Sequence, residues 1–114
     1  MKTPGVGRPN LTATAENSMT IRLDWTYDPS TCTPTPCGSP DGFEVWKQAW
    51  NGEWALKAKV LSGTIYTDTS NIEPMKSYTY RIRAFRGSDV SSFSNEAGAK
   101  APAYVATDQP CVVP

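Results

Sequence analysis

The sequence predicts an all-β protein, a seven-stranded antiparallel β-sandwich. Several segments alternate between apolar and polar side chains with a period of two, which is typical of strands with one buried face. The dipeptide Asn51-Gly52 stands between two of these segments and is the strongest short signal for a hairpin turn. Ten prolines and eight glycines lie mostly between the segments, as expected of a domain with many turns.

The clearest alternation organises the chain and runs from Tyr78 to Phe85. Its predicted core face comprises Tyr78, Tyr80, Ile82 and Ala84. Pro74 cannot donate a hydrogen bond to a β-ladder and therefore marks the turn before this strand. Tyr78 follows Pro74 by four residues, which suits a tyrosine corner. In such a corner the ring packs on the core and the hydroxyl bonds back to the preceding loop.

The other strands are predicted from shorter alternating runs. Their predicted bounds are 11–15, 20–27, 42–50, 53–60, 64–68 and 90–99. In the second strand Ile21, Leu23 and Trp25 face inward, and Trp25 is expected to be the central aromatic residue of the core. One face of the strand at 53–60 is predicted to carry Trp54, Leu56, Ala58 and Val60, and the opposite face Lys57 and Lys59.

Taken together, these patterns resemble the fibronectin type III family. The resemblance is carried by Ile21-x-Leu23-x-Trp25, Gly42-Phe43-Glu44-Val45-Trp46, Tyr66-Thr67-Asp68-Thr69 and Ile72-x-Pro74-x-x-x-Tyr78-x-Tyr80-x-Ile82-x-Ala84. The closing run from Phe93 to Ala97 is similar to the last strand of bacterial and phage members. The resemblance spans roughly residues 9 to 102 and implies an immunoglobulin-like topology. It implies a function only loosely, because the fold hosts many unrelated functions.

The chain is long enough for one domain with its own core, at 114 residues, and not for two. We expect an extended N-terminal arm over residues 1–10, the folded domain over 11–100, and a proline-rich C-terminal tail over 101–114. Such arms either dock on a neighbouring subunit or are frayed termini. No apolar stretch follows Lys2, so no secretory signal peptide is expected.

The charge balance argues against two classes of partner. Eleven basic and eleven acidic side chains cancel, so the composition predicts binding neither to nucleic acid nor to an anionic membrane surface. The apolar runs of the sequence fall far short of the ~20 residues that a membrane helix needs. We therefore expect no membrane insertion.

Catalytic chemistry has little support in the composition. Histidine is absent, which removes the commonest general base and the commonest metal ligand. No Gly-x-Ser-x-Gly elbow and no phosphate-binding loop occurs. The spacing favours structural surface charge over a calcium site or a catalytic pair for the carboxylates Asp24, Asp28, Asp41, Glu44 and Asp68. The sequence thus predicts a protein that is not an enzyme, with no catalytic residue, metal or cofactor.

A long loop at 28–41 contains four prolines and two of the three cysteines. A disulfide between Cys32 and Cys37 is favoured over a zinc site, which would lack further ligands, and over a redox motif, which requires Cys-x-x-Cys at a helix. This bond would indicate an oxidising compartment. Cys111 is the odd cysteine, either a free thiol or a partner for another chain.

A candidate partner surface is predicted around two tryptophans. Trp46 and Trp50 share the outward face of their strand by alternation. Outward tryptophans either bind a protein or a sugar ring, or cover the sheet against lysine and arginine side chains, and both interpretations stay open. Arg86 and Asp89, which frame the turn before the last strand, and Cys111 complete the predicted surface.

The sequence favours a non-catalytic structural and interaction role. The first hypothesis is a virion-surface protein, such as a phage decoration, fibre or tail component, that docks on neighbouring protein subunits through its arms and mediates adhesion. The second is a spacer or weak carbohydrate-binding module of a secreted bacterial enzyme or surface adhesin. The third is an engineered binding scaffold. The first two place the protein outside the cell or on a virion surface.

Overall fold

A computed structural model describes residues 6–28, 30 and 38–103 of the chain. The strands in chain order are β1 (Pro9–Asn17), β2 (Thr20–Tyr27), β3 (Gly42–Gln48), β4 (Trp54–Val60), β5 (Ile65–Asp68), β6 (Ser77–Arg86), β7 (Asp89–Val90) and β8 (Ala97–Lys100). Over this part of the chain, no helix has the length and apolar character needed to cross a membrane.

Two antiparallel sheets make up the sandwich. One sheet has the order β1-β2-β5, and the other has the order β4-β3-β6, with both β7 and β8 paired to β6. Every strand pair is antiparallel. The all-β, antiparallel sandwich predicted from the sequence is therefore confirmed.

The predicted final strand is divided into two pieces, β7 and β8. Between them the hydroxyls of Ser91 and Ser94 accept hydrogen bonds from the backbone N–H groups of Ala84 and Ile82, at 2.9 and 3.0 Å. The backbone N–H groups of the same serines donate back to those two residues. Serine side chains thus replace ladder acceptors where the backbone departs from the sheet. The two pieces share one strand position, which reconciles eight segments with a seven-stranded prediction.

The core lies between the two sheets, where the alternation had predicted it. Ile21, Leu23, Tyr80 and Ile82 are completely buried. The ring of Trp25 meets that of Phe43 edge to face, with centroids 5.4 Å apart, a favoured aromatic geometry.

Strand β1 begins at Pro9, two residues before its predicted start. Val6 and Gly7 are buried, and the Gly7 N–H donates to the Tyr27 hydroxyl at 2.7 Å. That hydroxyl donates in turn to the carbonyl of Gly38 at 2.6 Å. The chain from Val6 onward therefore packs on its own domain.

Strand β4 contains a bulge that the sequence did not predict. Val45 pairs with Ala58, but the next residue, Trp46, pairs with Leu56, so Lys57 faces no partner. A bulge of one residue reverses the faces on either side of it. The prediction that residues 54, 56, 58 and 60 share one face is therefore wrong. Residues 58 and 60 face the core, whereas residues 54 and 56 face outward.

Candidate functional site

Carboxylates that the sequence assigned to structural surface charge have partners within the chain, among them Asp24, Asp41, Glu44 and Asp68. Glu44 and Asp68 are buried, however, so the prediction of surface charge is wrong for these two. Asp41 accepts a hydrogen bond from the Gly87 N–H at 2.7 Å, and Asp24 pairs with Arg22 at 3.0 Å. Within 6–28, 30 and 38–103, no three of histidine, cysteine, aspartate and glutamate are grouped as a metal site would require.

The structure separates the residues of the predicted partner surface. Cys32, Cys37 and Cys111 lie outside the described residues. Arg86 and Asp89 pair with each other across the turn that joins β6 to β7. This turn lies at the end of β6 opposite to the hairpin of Trp50, because Gly42 and Lys47 of β3 pair with Phe85 and Tyr80, respectively.

Trp46 lies on the outer face of the five-stranded sheet and is partly buried there. Its ring meets Phe93 edge to face at 5.8 Å, and its indole N–H donates to Glu44 Oε1 at 3.0 Å. The guanidinium of Arg83 lies 5.4 Å from the centre of the Trp46 ring. We call this group, together with Trp54 and Arg81, the outer-face cluster. Trp46 therefore uses its ring and its indole N–H for contacts within its own chain.

Two arginines of β6 hold the outer-face cluster together. Arg81 lies between two rings, 4.3 Å from the centre of Trp54 and 3.8 Å from that of Phe93. Arg83 donates to Glu44 Oε1 at 2.7 Å. Burial opposes ionisation of Glu44, but hydrogen bonds from Arg83 and Trp46 outweigh it, so the pKa of this carboxyl is lowered. Stacked cations and rings cover the sheet and leave little of it open.

Trp50 lies away from the sheet face, at the tip of the β3–β4 hairpin. Strand β3 ends at Gln48, two residues before the predicted end, and the turn is closed by a 2.7 Å hydrogen bond from the Ala49 N–H to the Glu53 carbonyl. Gly52 has a φ of 88°, which glycine adopts without strain. The predicted pairing of Trp46 and Trp50 on one face does not form. The Trp50 side chain is 98% exposed.

Beside Trp50 lies an open groove of about 670 Å³, which we call the tip groove. Its walls come from the hairpin, from β4, from the loop after β5 and from the start of β6. The residues that line it are 47–50, 55–57, 70, 71, 73 and 76–79. Tyr78 forms part of one wall, and its hydroxyl accepts from the Glu73 N–H at 2.8 Å and donates to the Asn71 carbonyl at 3.1 Å. These are the bonds of the predicted tyrosine corner.

A buried charge network supports the floor of the tip groove. The Asp68 side chain is fully buried and accepts a 2.7 Å hydrogen bond from the Tyr80 hydroxyl. Lys47 Nζ lies 2.8 Å from Asp68 Oδ2, and Lys57 Nζ lies 3.6 Å from Asp68 Oδ1. Lys47 also donates to the Ser70 carbonyl at 3.2 Å and lies 4.8 Å from the centre of the Tyr78 ring.

The ionisation of this network follows from its contacts. Burial opposes ionisation of Asp68, but hydrogen bonds from Lys47, Tyr80 and the Ser70 N–H outweigh it, so the pKa of Asp68 is lowered. Burial and the neighbouring Asp68 carboxylate raise the pKa of Tyr80 well above its usual range. Asp68 is therefore an anion at neutral pH, and Tyr80 is a neutral donor to it.

The tip groove was not found from the sequence. Strict alternation had placed Lys57 on the outer face, away from Asp68, whereas the bulge turns it toward the groove. One signal in the sequence pointed to the buried charge. Asp68 lies on the same strand face as Tyr66, and these two residues pair with the buried Ile21 and Leu23 of β2. A charged residue at an inward position requires a buried partner.

Comparisons with known proteins show the fold. No family model matches the sequence, and no curated protein matches it. The sixth fibronectin type III domain of human fibronectin type III domain containing protein 3 is 14% identical, with a TM-score of 0.71, covering 99% of this chain and 98% of that one. A Fn3-like protein from Clostridium thermocellum is 20% identical, with a TM-score of 0.65, covering 91% of this chain and 99% of that one.

A third similar structure is a part of a longer protein. The β-1,2-glucanase from Parabacteroides distasonis is 17% identical, with a TM-score of 0.70, covering 93% of this chain but 14% of that one. The chain thus has the fibronectin type III fold. The match spans nearly all of the Clostridium thermocellum chain and a small part of the glucanase chain.

Proposed function

We propose that this chain is a non-catalytic structural and interaction module that docks on a protein neighbour through the tip groove. One observation carries the proposal. Trp50 is 98% exposed at the edge of a groove, whereas Trp25 is buried and both Trp46 and Trp54 are partly buried against other rings and arginines. Tryptophan is enriched at the energetic centres of protein interfaces.

The outer-face cluster is a weaker candidate for the docking surface. Its rings already stack on Arg81 and Arg83, and its carboxylate already accepts from Trp46 and Arg83. A partner would have to displace these contacts before it gained its own. The tip groove requires no such exchange at Trp50.

We place this module outside the cytoplasm. The pair Cys32 and Cys37 supports this setting, because the disulfide predicted from their spacing needs an oxidising compartment. Two neighbours fit the role. On a virion surface the partner is a coat, fibre or tail subunit, as the first sequence hypothesis holds. In a secreted enzyme or adhesin it is an adjacent domain, an arrangement for which the glucanase offers a parallel.

The test is a selection of random twelve-residue peptides displayed on phage against the immobilised chain. Enriched peptides are synthesised, and their affinities are measured by fluorescence anisotropy for the wild type, Trp50→Ala and Leu61→Ala. Leu61 is a matched control, since it is 71% exposed and does not line the groove. We expect Trp50→Ala to weaken binding about 10-fold or more, as for an interface hot spot, and Leu61→Ala to leave it unchanged. Enriched peptides that bind Trp50→Ala as well as the wild type would contradict the proposal.

A second candidate function is weak binding of a neutral glycan. The exposed indole of Trp50 offers a flat face for a sugar ring, and one structural neighbour is a β-1,2-glucanase. Affinity electrophoresis in gels that contain soluble β-1,2-glucan tests this candidate. Retardation of the wild type that Trp50→Ala abolishes supports glycan binding, and equal mobility with and without glucan rejects it.

A further inference from the structure

We propose that the tip groove recognises an acidic peptide segment, with Lys57 binding a carboxylate of the partner while Trp50 packs on an adjacent apolar side chain. This inference rests on the proposed function and specifies the chemistry of the partner. It assigns Lys57, which the sequence placed on the opposite face, to the binding surface.

The first argument is the charge of the groove. Three lysines line it, Lys47, Lys57 and Lys76, against the carboxylate of Glu73 and that of Asp68 beneath the floor. One positive charge remains in excess. The chain as a whole is neutral, so this excess is a local property of the groove. A groove with an excess of one sign favours a partner of the opposite sign.

The second argument identifies the lysine that is held least closely by a carboxylate of its own chain. Lys47 is occupied by Asp68 at 2.8 Å, by the Ser70 carbonyl at 3.2 Å and by the Tyr78 ring. Lys76 lies 3.2 Å from Glu73. Lys57 lies 3.6 Å from Asp68 Oδ1, its closest carboxylate among the described residues, which is too long for a good charged hydrogen bond, and 22% of its side chain is exposed. An ammonium group has three donors, so Lys57 can bind a further carboxylate.

The third argument is the bulge in β4. With Ala58 and Val60 held on the core face, regular pairing would have placed Lys57 on the outer face, where Lys59 lies 5.1 Å from the Phe85 ring. The extra residue in β4 instead aims Lys57 into the groove. Bulges are common at sheet edges, where β4 lies, and next to active sites, where they re-aim a side chain. As a result, Lys57 has no pairing partner in β3.

The fourth argument favours a peptide over an acidic glycan. Ala49, Ala55 and the half-exposed Leu56 line the groove beside Trp50. Other lining residues are polar, among them Ser70, Asn71, Ser77 and Thr79, so the groove offers both apolar and polar contacts. They suit the mixed apolar and charged side chains of an extended peptide.

The experiment uses the peptides enriched in the selection above. We expect them to contain an excess of aspartate and glutamate, and we expect Glu→Gln versions to bind less tightly. Lys57→Gln should weaken binding about 5- to 10-fold, as for a charge pair at an interface. Lys59→Gln removes the same charge two residues away on the other face and should change affinity less than about 2-fold. Lys57→Arg keeps the charge and should retain most of the affinity.

Thermal unfolding of each variant accompanies the binding measurements, so that a loss of fold is recognised. If Lys57→Gln unfolds, the role of the charge is tested with Lys57→Arg and with the salt dependence of wild-type binding. Salt should weaken the complex if a charge pair contributes to it, because salt screens that attraction. If the enriched peptides bind in a way that depends on Trp50 but contain no excess of acidic residues and lose no affinity for Lys57→Gln, the present inference is overturned and the proposed function is left intact. Peptides that bind Trp50→Ala as tightly as the wild type overturn both this inference and the proposed function. If the selection enriches no peptide, and polygalacturonate in the gel retards the protein in a way that depends on Lys57 and Trp50, the ligand is an acidic glycan and not a peptide.

Discussion

Trp46 and Trp50 are four residues apart in one hairpin, and the molecule uses them in opposite ways. Trp46 lies on a strand, where its ring, its indole N–H and a nearby guanidinium are all engaged with its own chain. Trp50 lies in the turn and is 98% exposed. The same residue type therefore covers a sheet at one position and offers a contact surface at the other. Local backbone geometry decides which.

The two regions around these tryptophans are similar in their balance of charge. In the outer-face cluster, Arg81 and Arg83 lie against aromatic rings and Arg83 also pairs with Glu44, so two cations share one carboxylate. Under the tip groove, one buried carboxylate, Asp68, is shared by Lys47 and Lys57, and positive charge is left over. Each region has one cation in excess, so the exposed ring of Trp50, rather than the charge, distinguishes the tip groove from the outer-face cluster.

The largest expected effect comes from removing the charge under the tip groove. Asp68→Asn leaves Lys47 partly buried without its anion and should lower the free energy of unfolding by about 3 kcal/mol, as when one partner of a buried ion pair is removed. Urea unfolding measures the change. Asp24→Asn, on the exposed side of β2, is the control and should cost less than about 0.5 kcal/mol. Equal stability of the two variants would contradict the role of Asp68.

Acid should remove the same contribution without a mutation. The pKa of Asp68 is lowered in the folded protein, and the unfolded value is about 3.9. The ionised carboxylate therefore stabilises the fold above about pH 4, and this stability is lost as the pH falls through the folded-state pKa. Glu44 contributes in the same direction. Unfolding curves from pH 6 to pH 2 should show a smaller loss for Asp68→Asn than for the wild type, and parallel losses would refute the assignment.

A smaller effect is expected from the outer-face cluster. Trp46→Ala removes contacts with Phe93 and Arg83 and the hydrogen bond to Glu44. Because the ring is only partly buried, we expect a loss of about 2 kcal/mol, below the range for core tryptophans. Trp46→Phe retains the ring stacking and should lose about half as much. If Trp46→Ala leaves the free energy of unfolding unchanged, the Trp46 ring does not stabilise the fold. The proposed difference between Trp46 and Trp50 would then be wrong.

Much of the fold could be predicted from the sequence because it depends on local patterns. The alternation after Tyr78 placed Tyr80 and Ile82 in the core, and the spacing of Tyr78 from Pro74 predicted the bonds of the tyrosine corner that the structure contains. Period-two alternation reflects the geometry of a single strand. It needs no knowledge of neighbouring strands.

The tip groove could not be predicted in the same way, because it depends on pairing between strands. A single extra residue in β4 changed the side on which Lys57 lies, and nothing in the sequence around it marks a bulge. Likewise, the end of β3 at Gln48 moved Trp50 from the sheet into the turn. Register and turn closure are properties of two strands together, so alternation along one strand cannot give them.

The smallest expected effect on stability is the sharpest test of the comparison. Trp50→Ala removes the largest exposed side chain of the hairpin, yet that side chain loses almost no contact with solvent on folding. Its contribution to the free energy of unfolding should therefore lie within about 0.5 kcal/mol of zero, as for ordinary surface substitutions. Urea unfolding of Trp50→Ala beside Trp46→Ala measures both. If Trp50→Ala costs more than about 1 kcal/mol, the ring supports the hairpin, and its exposure needs no partner to explain it. If the variant is neutral, the fold does not depend on this ring, and its exposed faces stay available to a partner.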